Sequence, residues 1–200
     1  MEEIKTRTFV FIDGENIRNS VESYGYKDLD YAKLYSWFKE KKNANRIYIY
    51  VGIENGDTKK EEQFAELKTL GYTVSAKKVM LYKQKPLTYK IECKNCKTIN
   101  QKIITRSSKL KANCDTELTL DIINGGVRKK YDKIIVFSGD GDFSIVYEYV
   151  VNELKKEVTV YTPLGYPHST RTSSKIKEMH KNKIIELEDL GSLLLHYGVK

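Results

Sequence analysis

Six short runs of β-prone, largely apolar residues recur along the chain. They are residues 8–13 (TFVFID), 46–51 (RIYIYV), 72–79, 133–138 (KIIVFS) and 157–161 (EVTVY), with a weaker one at 183–187. The strongest of these show little polar alternation, which predicts strands buried on both faces. Between them, apolar positions return at three- and four-residue spacing over residues 29–41, 59–70, 114–128, 143–155 and 173–181, the signature of helices with one buried face. A last helix is expected over 187–196. Strand and helix alternate throughout, and strands joined by crossover helices run parallel. The expected fold is therefore α/β: a three-layer α/β/α sandwich around a mainly parallel sheet. The rhythm is interrupted once, by residues 80–111 between the third strand and the third of these helices. With no Pro-, Gly- or Ser-rich linker nearby, that segment reads as an insertion within one domain spanning residues 1–200.

Composition agrees with a compact domain. Of 200 residues, 40% are hydrophobic and 31% charged, with 3 Pro and 12 Gly, which excludes collagen-like and disordered classes. No run approaches the roughly 18 apolar residues of a membrane helix. The opening MEEIKTRT is charged and polar, unlike a secretory signal. A cytoplasmic location with no membrane partner is expected. The net charge of +8 is local rather than general: residues 77–111 hold eleven Lys and Arg against one acid, Glu92, so that segment is +10 and the rest of the chain −2. Tyr82 and Tyr89 lie among those lysines, a mixture that can neutralise phosphates and stack on unpaired bases. A solvated lysine-rich hairpin without a ligand is the plainer reading of the same run.

In open parallel sheets, ligands bind beyond the carboxyl ends of the strands, where strand order reverses. Asp13 ends the first strand, and Asp140 and Asp142 follow the fourth in SGDGDF, residues 138–143. If the strands are ordered 3-2-1-4-5, the first and fourth are neighbours, and carboxylates from loops far apart in sequence converge. Asp115, in the first turn of the helix leading back to the fourth strand, joins them. Asp121 lies about 9 Å further along that helix axis and is expected deeper, in a supporting position. Taken singly, Asp115 is an ordinary helix cap and each Asp-Gly pair an ordinary turn. Taken together, the carboxylates repel unless a cation joins them. An all-oxygen set suits Mg²⁺ or Mn²⁺ and implies metal-assisted hydrolysis of a phosphodiester. Asn16 is placed to hold a carboxylate or bound water, Ser138 to hydrogen-bond nearby, and Lys111 to steer the scissile phosphate.

These residues resemble the NYN domains of the PIN-like nuclease superfamily, especially their LabA-like branch. FIDGEN at 11–16 is similar to the family's F-I-D-G-x-N opening, KANCDTELTLD at 111–121 to its K-G-x-D-V-x-L-x-x-D helix, and SGDGDF at 138–143 to its S-G-D-x-D-F signature. The resemblance spans most of the chain and has the three motifs in order. It implies a Mg²⁺- or Mn²⁺-dependent ribonuclease whose acidic pocket corresponds to Asp13, Asp115, Asp140 and Asp142, with Asp121 at a further recurrent acidic position. The chain departs from the pattern in an extra residue between Lys111 and Asp115, in Ala112 where Gly is usual, and in the long basic insertion. RNA is the expected partner. DNA stays open, because neither phosphate charge nor metal chemistry senses the 2′-hydroxyl by itself.

The cysteines admit a second metal. Cys93-Lys94-Asn95-Cys96 has the spacing of half a zinc knuckle, and Cys114 follows eighteen residues after Cys96. A closed structural Zn²⁺ site uses four ligands. The fourth would come from His168, His180 or His196, or the site would be shared between chains of a homodimer. The alternatives are a reduced CxxC without metal and a Cys114 that is a small apolar helix residue. An odd cysteine count argues against a secreted disulfide framework. Residues 162–175 follow the fifth strand and bring His168 and Arg171 to the same edge, as substrate contacts or as plain surface loop. Trp37 is expected in a helix core.

Two functions emerge: a ribonuclease cutting within RNA, or an RNA-binding adaptor that keeps the acidic pocket as a relic and binds through the lysine-rich insertion. Phosphatase chemistry of the haloacid dehalogenase kind would want an Asp where Glu15 stands. Neither a GxGxxG nor a Walker motif follows a strand, so dinucleotide and nucleoside triphosphate use are unsupported.

Overall fold

The computed structural model describes residues 6–82, 85–105, 109–111 and 114–200, leaving aside the side chains of residues 81, 82 and 109–111. Its elements run β1 (Thr8–Asp13), α1 (Gly14–Ser23), β2 (Asp28–Leu29), α2 (Tyr31–Lys41), β3 (Ala44–Ile53), α3 (Thr58–Leu70), β4 (Thr73–Lys78), β5 (Met80–Tyr82) and β6 (Leu87–Glu92). Then follow β7 (Ile99–Ile104), β8 (Lys109–Lys111), α4 (Asp115–Val127), β9 (Lys133–Phe137), α5 (Ser144–Asn152), β10 (Glu157–Thr162), α6 (Ser174–Lys181), β11 (Glu186–Asp189), α7 (Leu190–Tyr197) and β12 (Gly198–Val199). Short 3-10 turns at Gly141–Phe143 and His168–Arg171 precede α5 and α6.

Six strands form one parallel sheet in the order β11-β10-β9-β1-β3-β4. Numbered by appearance within the sheet, that is 6-5-4-1-2-3, so the chain reverses direction across the sheet between β1 and β9. Alternation along β1 builds both faces at once. Val10 and Ile12 point into a core with Ile17 and Val21 of α1, Leu34 and Phe38 of α2, Phe64 and Leu67 of α3, and Leu190, Leu193 and Leu194 of α7. Phe9 and Phe11 point the other way, onto Leu118 and Ile122 of α4, Val146, Tyr147 and Val150 of α5, and Ile176 and Met179 of α6. The three-layer sandwich follows from this period of two, and each such fully buried side chain contributes roughly 1.5–3 kcal/mol.

Helix α1 and strand β11 differ from the sequence expectation. No helix was expected at α1, whose Asp-Gly start is by itself an ordinary turn signal. Here Asp13 caps the helix, accepting from the Asn16 N–H at 3.1 Å, and Ile17 and Val21, four apart, supply its buried stripe. Strand β11 begins later than residue 183. Lys183 is left-handed (φ 57°), and the Ile184 N–H returns to the Met179 carbonyl, so these two residues close α6.

At the amino edge of the sheet, Asp132 ties the strands together. It accepts from Arg7 Nε and a second guanidinium nitrogen, both at 2.9 Å, and from Lys156 Nζ at 3.1 Å. Between β4 and α4, β5 pairs antiparallel with β8, and β6 with β7. No residue between 85 and 105 is buried. Among the described residues, no helix is long and apolar enough to cross a membrane.

Candidate active site

The switch between β1 and β9 sets the site, because these strands are hydrogen-bonded neighbours and both end at the same edge. Asp13, last in β1, accepts from the Asn16 N–H with one carboxylate oxygen and from the Ser138 hydroxyl, just past β9, with the other at 3.0 Å. Ser138 Oγ in turn accepts from the Asp140 N–H at 3.2 Å. Asn16 reaches across the switch as well, its side-chain oxygen taking the Gly139 N–H at 2.9 Å. One network thus joins FIDGEN to SGDGDF over 125 residues of chain.

Two glycines permit this approach. A Cβ on Gly14 would stand 2.6 Å from both the Tyr50 carbonyl and a Val51 methyl, and one on Gly139 would overlap the Arg171 carbonyl. The Ser173 N–H donates to the Gly139 carbonyl, so the loop before α6 is fastened against the same turn. Asp140 in turn accepts from the Asp142 N–H at 2.9 Å and starts the short turn that leads into α5.

Burial, before any neighbour, pushes the Asp13 carboxyl up to about 6. The Asn16 N–H and Ser138 hydroxyl pull it down, whereas Asp115 and Asp140 raise it further. The groups that act on Asp13 are thus a backbone donor, a hydroxyl and two acids. Beneath them lies Tyr147 of α5, a residue the sequence reading did not single out. It is fully buried, its hydroxyl has no hydrogen-bond partner among the described residues, and after burial itself Asp13 and Asp140 hold its phenol well above the usual value. Its sequence signal was only that of an apolar helix position, which explains the omission.

The remaining expected residues separate. Asp142 is exposed, on an open cleft shared with Asn16, Asp140, Arg171, Ser173 and Lys175. Arg171 is therefore at the cleft. His168 is not among its lining residues: the ring stacks on Tyr24 at 3.9 Å between centroids. Asp121 is exposed rather than deep, and its carboxylate accepts from the buried Tyr50 hydroxyl at 2.8 Å. Tyr50 pairs with Asp13 in the β1/β3 register, so Asp121 supports the strand beside the site. The Lys111 side chain lies outside the described residues. Trp37 packs edge-on to Phe38 and Tyr161, as core.

The three cysteines do not assemble into one zinc site. Cys114 is buried at the start of α4 with its thiol on the Val51 carbonyl, and burial, then Glu117, pushes that thiol up to about 11. It is a neutral core thiol. Cys93 and Cys96 sit instead at the turn joining β6 to β7.

The acidic donor set is all oxygen, which fits a hard divalent ion. Among the described residues no three His, Cys, Asp or Glu side chains close into a ready-made cage. The arrangement therefore fits an ion that keeps several waters and takes one or two carboxylates, as Mg²⁺ does.

A solved structure shares this fold, and a relative and a family model match the sequence. The crystal structure of VPA0982, a Vibrio parahaemolyticus protein of unknown function, superposes with a TM-score of 0.64 at 21% identity, over 95% of this chain and 96% of that one. The low amplitude and bright protein LabA of Synechococcus elongatus is 27% identical over 163 residues, 80% of this chain and 75% of that protein. A family model, that of the NYN domain, matches residues 7–183. With the two halves of the switch-point network falling inside that span, the chain belongs to the NYN domain family, a PIN-like group whose membership supports a nuclease-type function on nucleic acid.

Proposed function

We propose that this protein is a divalent-metal-dependent ribonuclease that cuts within RNA, and that its chain is one domain in which residues 80–111 are an insertion. The observation that carries the reading is the Asp13 carboxylate. It is fixed by the Ser138 hydroxyl and the Asn16 N–H and faces two further acids, with burial opposing its charge. Such a group is stabilised by an added cation and by little else.

Asp13 and Asp140 would hold Mg²⁺ or Mn²⁺, with Asp115 reaching the ion through one of its waters and Asp142 and Asn16 at the rim. When bound, the ion supplies a water of lowered pKa and draws charge from the phosphodiester. The protein's own groups do the positioning. Ser138 and the Asn16 N–H hold both oxygens of Asp13 in one orientation, and the Asn16 side chain keeps the Gly139 turn at the fixed distance that sets Asp140. Arg171 and Lys175 line the open side of the cleft, where a phosphate backbone would run. Lys111 is assigned the scissile phosphate from its motif alone. Residues 85–105, exposed and lysine-rich, offer a second contact with the strand.

The test is cleavage of matched RNA and DNA oligomers with Mg²⁺, Mn²⁺ or chelator, with Asp140→Asn as control. RNA cleavage that requires the ion and disappears in the variant is expected. Undetectable cleavage with Mn²⁺ while RNA binding persists would establish the adaptor reading, and cleavage of DNA alone would reassign the substrate.

A further inference from the structure

The turn between β6 and β7 holds Cys93 and Cys96, and among the described residues no third Cys, His, Asp or Glu forms a group with them. The Cys93 N–H donates to the Thr98 carbonyl at 2.9 Å, closing the β6/β7 ladder, and the Lys97 N–H donates to the Cys93 carbonyl at 2.9 Å. Lys97 takes the left-handed conformation, φ 59°, which turns the chain back after Cys96. The Cys96 thiol donates to the Thr98 hydroxyl at 3.2 Å, just past the turn. A thiol held by a neighbouring side chain on a C-x-x-C turn is oriented as outer contacts orient metal ligands. Nothing in ordinary hairpin chemistry calls for two cysteines here, Cys93 half-buried and Cys96 exposed.

Zn²⁺ takes four ligands in a structural site, and this turn presents two. Of the other candidates, Cys114 is on the Val51 carbonyl, His168 on Tyr24 and His180 beside the Ile185 carbonyl, while His196 is exposed on α7. Among the described residues no group of three ligands forms. We propose that the Cys93–Cys96 turn is half of a zinc site completed by the same two cysteines of a second copy, so that one Zn²⁺ joins two chains through four thiolates.

Two features of the hairpin fit that partner. In the β6/β7 register, Leu87, Tyr89 and Ile91 share a face with Asn100, Lys102 and Ile104, and Tyr89, Ile91 and Ile104 are exposed on it. A second copy related by a twofold axis would present the same stripe and cover it. Charge is complementary too. Four thiolates on Zn²⁺ leave a net −2, and each turn carries Lys94 and Lys97 against Glu92, which pairs with Lys97 at 3.5 Å, so the net positive charge of the two turns offsets that of the site. On binding, four Zn–S bonds form and four thiol protons pass to solvent, with no change of oxidation state. None of this depends on the nuclease reading.

The experiment uses the full chain under reducing conditions, loaded with zinc and freed of excess ion. Metal content is measured by elemental analysis and mass by sedimentation. The expected result is about one zinc per two chains in a dimer. Chelator should release the metal and give monomer, and the Cys93→Ser/Cys96→Ser double variant should be monomeric and zinc-free with an unchanged circular dichroism spectrum. The Cys114→Ala variant should keep both zinc and dimer. A zinc-free loaded protein, one zinc per monomeric chain, loss of zinc in Cys114→Ala, or a dimer that survives chelator or the double variant would each overturn the proposal.

Discussion

Asp13 and Asp132 occupy opposite edges of one sheet and meet opposite surroundings. Asp132 precedes β9, is partly exposed, and is gripped by the Arg7 guanidinium and the Lys156 ammonium, which hold its carboxyl well below the usual range. Asp13 ends β1 among a hydroxyl, a backbone N–H and two acids, and burial holds its carboxyl up near 6. The first carboxylate is complete within the chain and stabilises it. In the second, burial and the two acids disfavour the ionised form. The two edges divide accordingly: at the amino edge cations placed by the sequence favour the carboxylate, and at the carboxyl edge its surroundings oppose it.

Four substitutions test that division. The largest effect is expected from Asp140→Asn, which should lower metal-dependent RNA cleavage about 1000-fold or more, as losing a charged group at a reacting centre does, while circular dichroism stays unchanged. Next, Gly139→Ala should destabilise the fold by about 2–3 kcal/mol in urea unfolding, because its Cβ would overlap the Arg171 carbonyl, which is backbone and cannot swing aside. Retention of full stability would show that the turn is looser than its hydrogen bonds indicate.

The two aspartates themselves should then respond in opposite senses. Asp13→Asn should raise the thermal stability of chelator-treated protein at neutral pH by about 1–2 kcal/mol, since it removes the buried charge and keeps a capping oxygen, while cleavage is lost. Asp132→Asn should lower stability at pH 7 by about 1 kcal/mol or less, a value discounted for exposure, and leave cleavage unchanged. Because the Asp132 carboxyl is depressed in the folded state, its contribution is full above the unfolded value near 4 and is lost as pH falls through the folded one. The variant and the parent should therefore converge in acid unfolding. A parallel response of Asp13→Asn and Asp132→Asn would break the comparison.

Much of the fold was legible because local patterns and tertiary structure agreed. Continuous apolar runs became the central strands β1, β3 and β9, and the expected 3-2-1-4-5 order is the order of the first five sheet strands. Helix α1 was not legible, since its start is an Asp-Gly pair whose aspartate serves at once as strand end, helix cap and acid of the site. The site was legible in its motifs and not in its contacts. Asp13, Ser138, Asn16 and Asp140 stand in FIDGEN and SGDGDF, yet which oxygen each satisfies depends on two strand ends being neighbours. Tyr147 left no trace in the sequence, because a buried phenol and a core aromatic have the same pattern until the hydroxyl is found without a partner among the described residues.

The sequence by itself determined the alternation of strand and helix, the localisation of basic charge between residues 77 and 111, and the identity of the acids, for these depend on side-chain type and spacing along the chain. Tertiary structure decided the rest. It separated Cys114 from Cys93 and Cys96, moved Asp121 to the surface under Tyr50, stacked His168 on Tyr24, and set Asp13 against Ser138 across the switch. Each of those outcomes is a contact between residues remote in sequence. Such contacts form only when the strand order brings two edges together and burial fixes what water would otherwise satisfy.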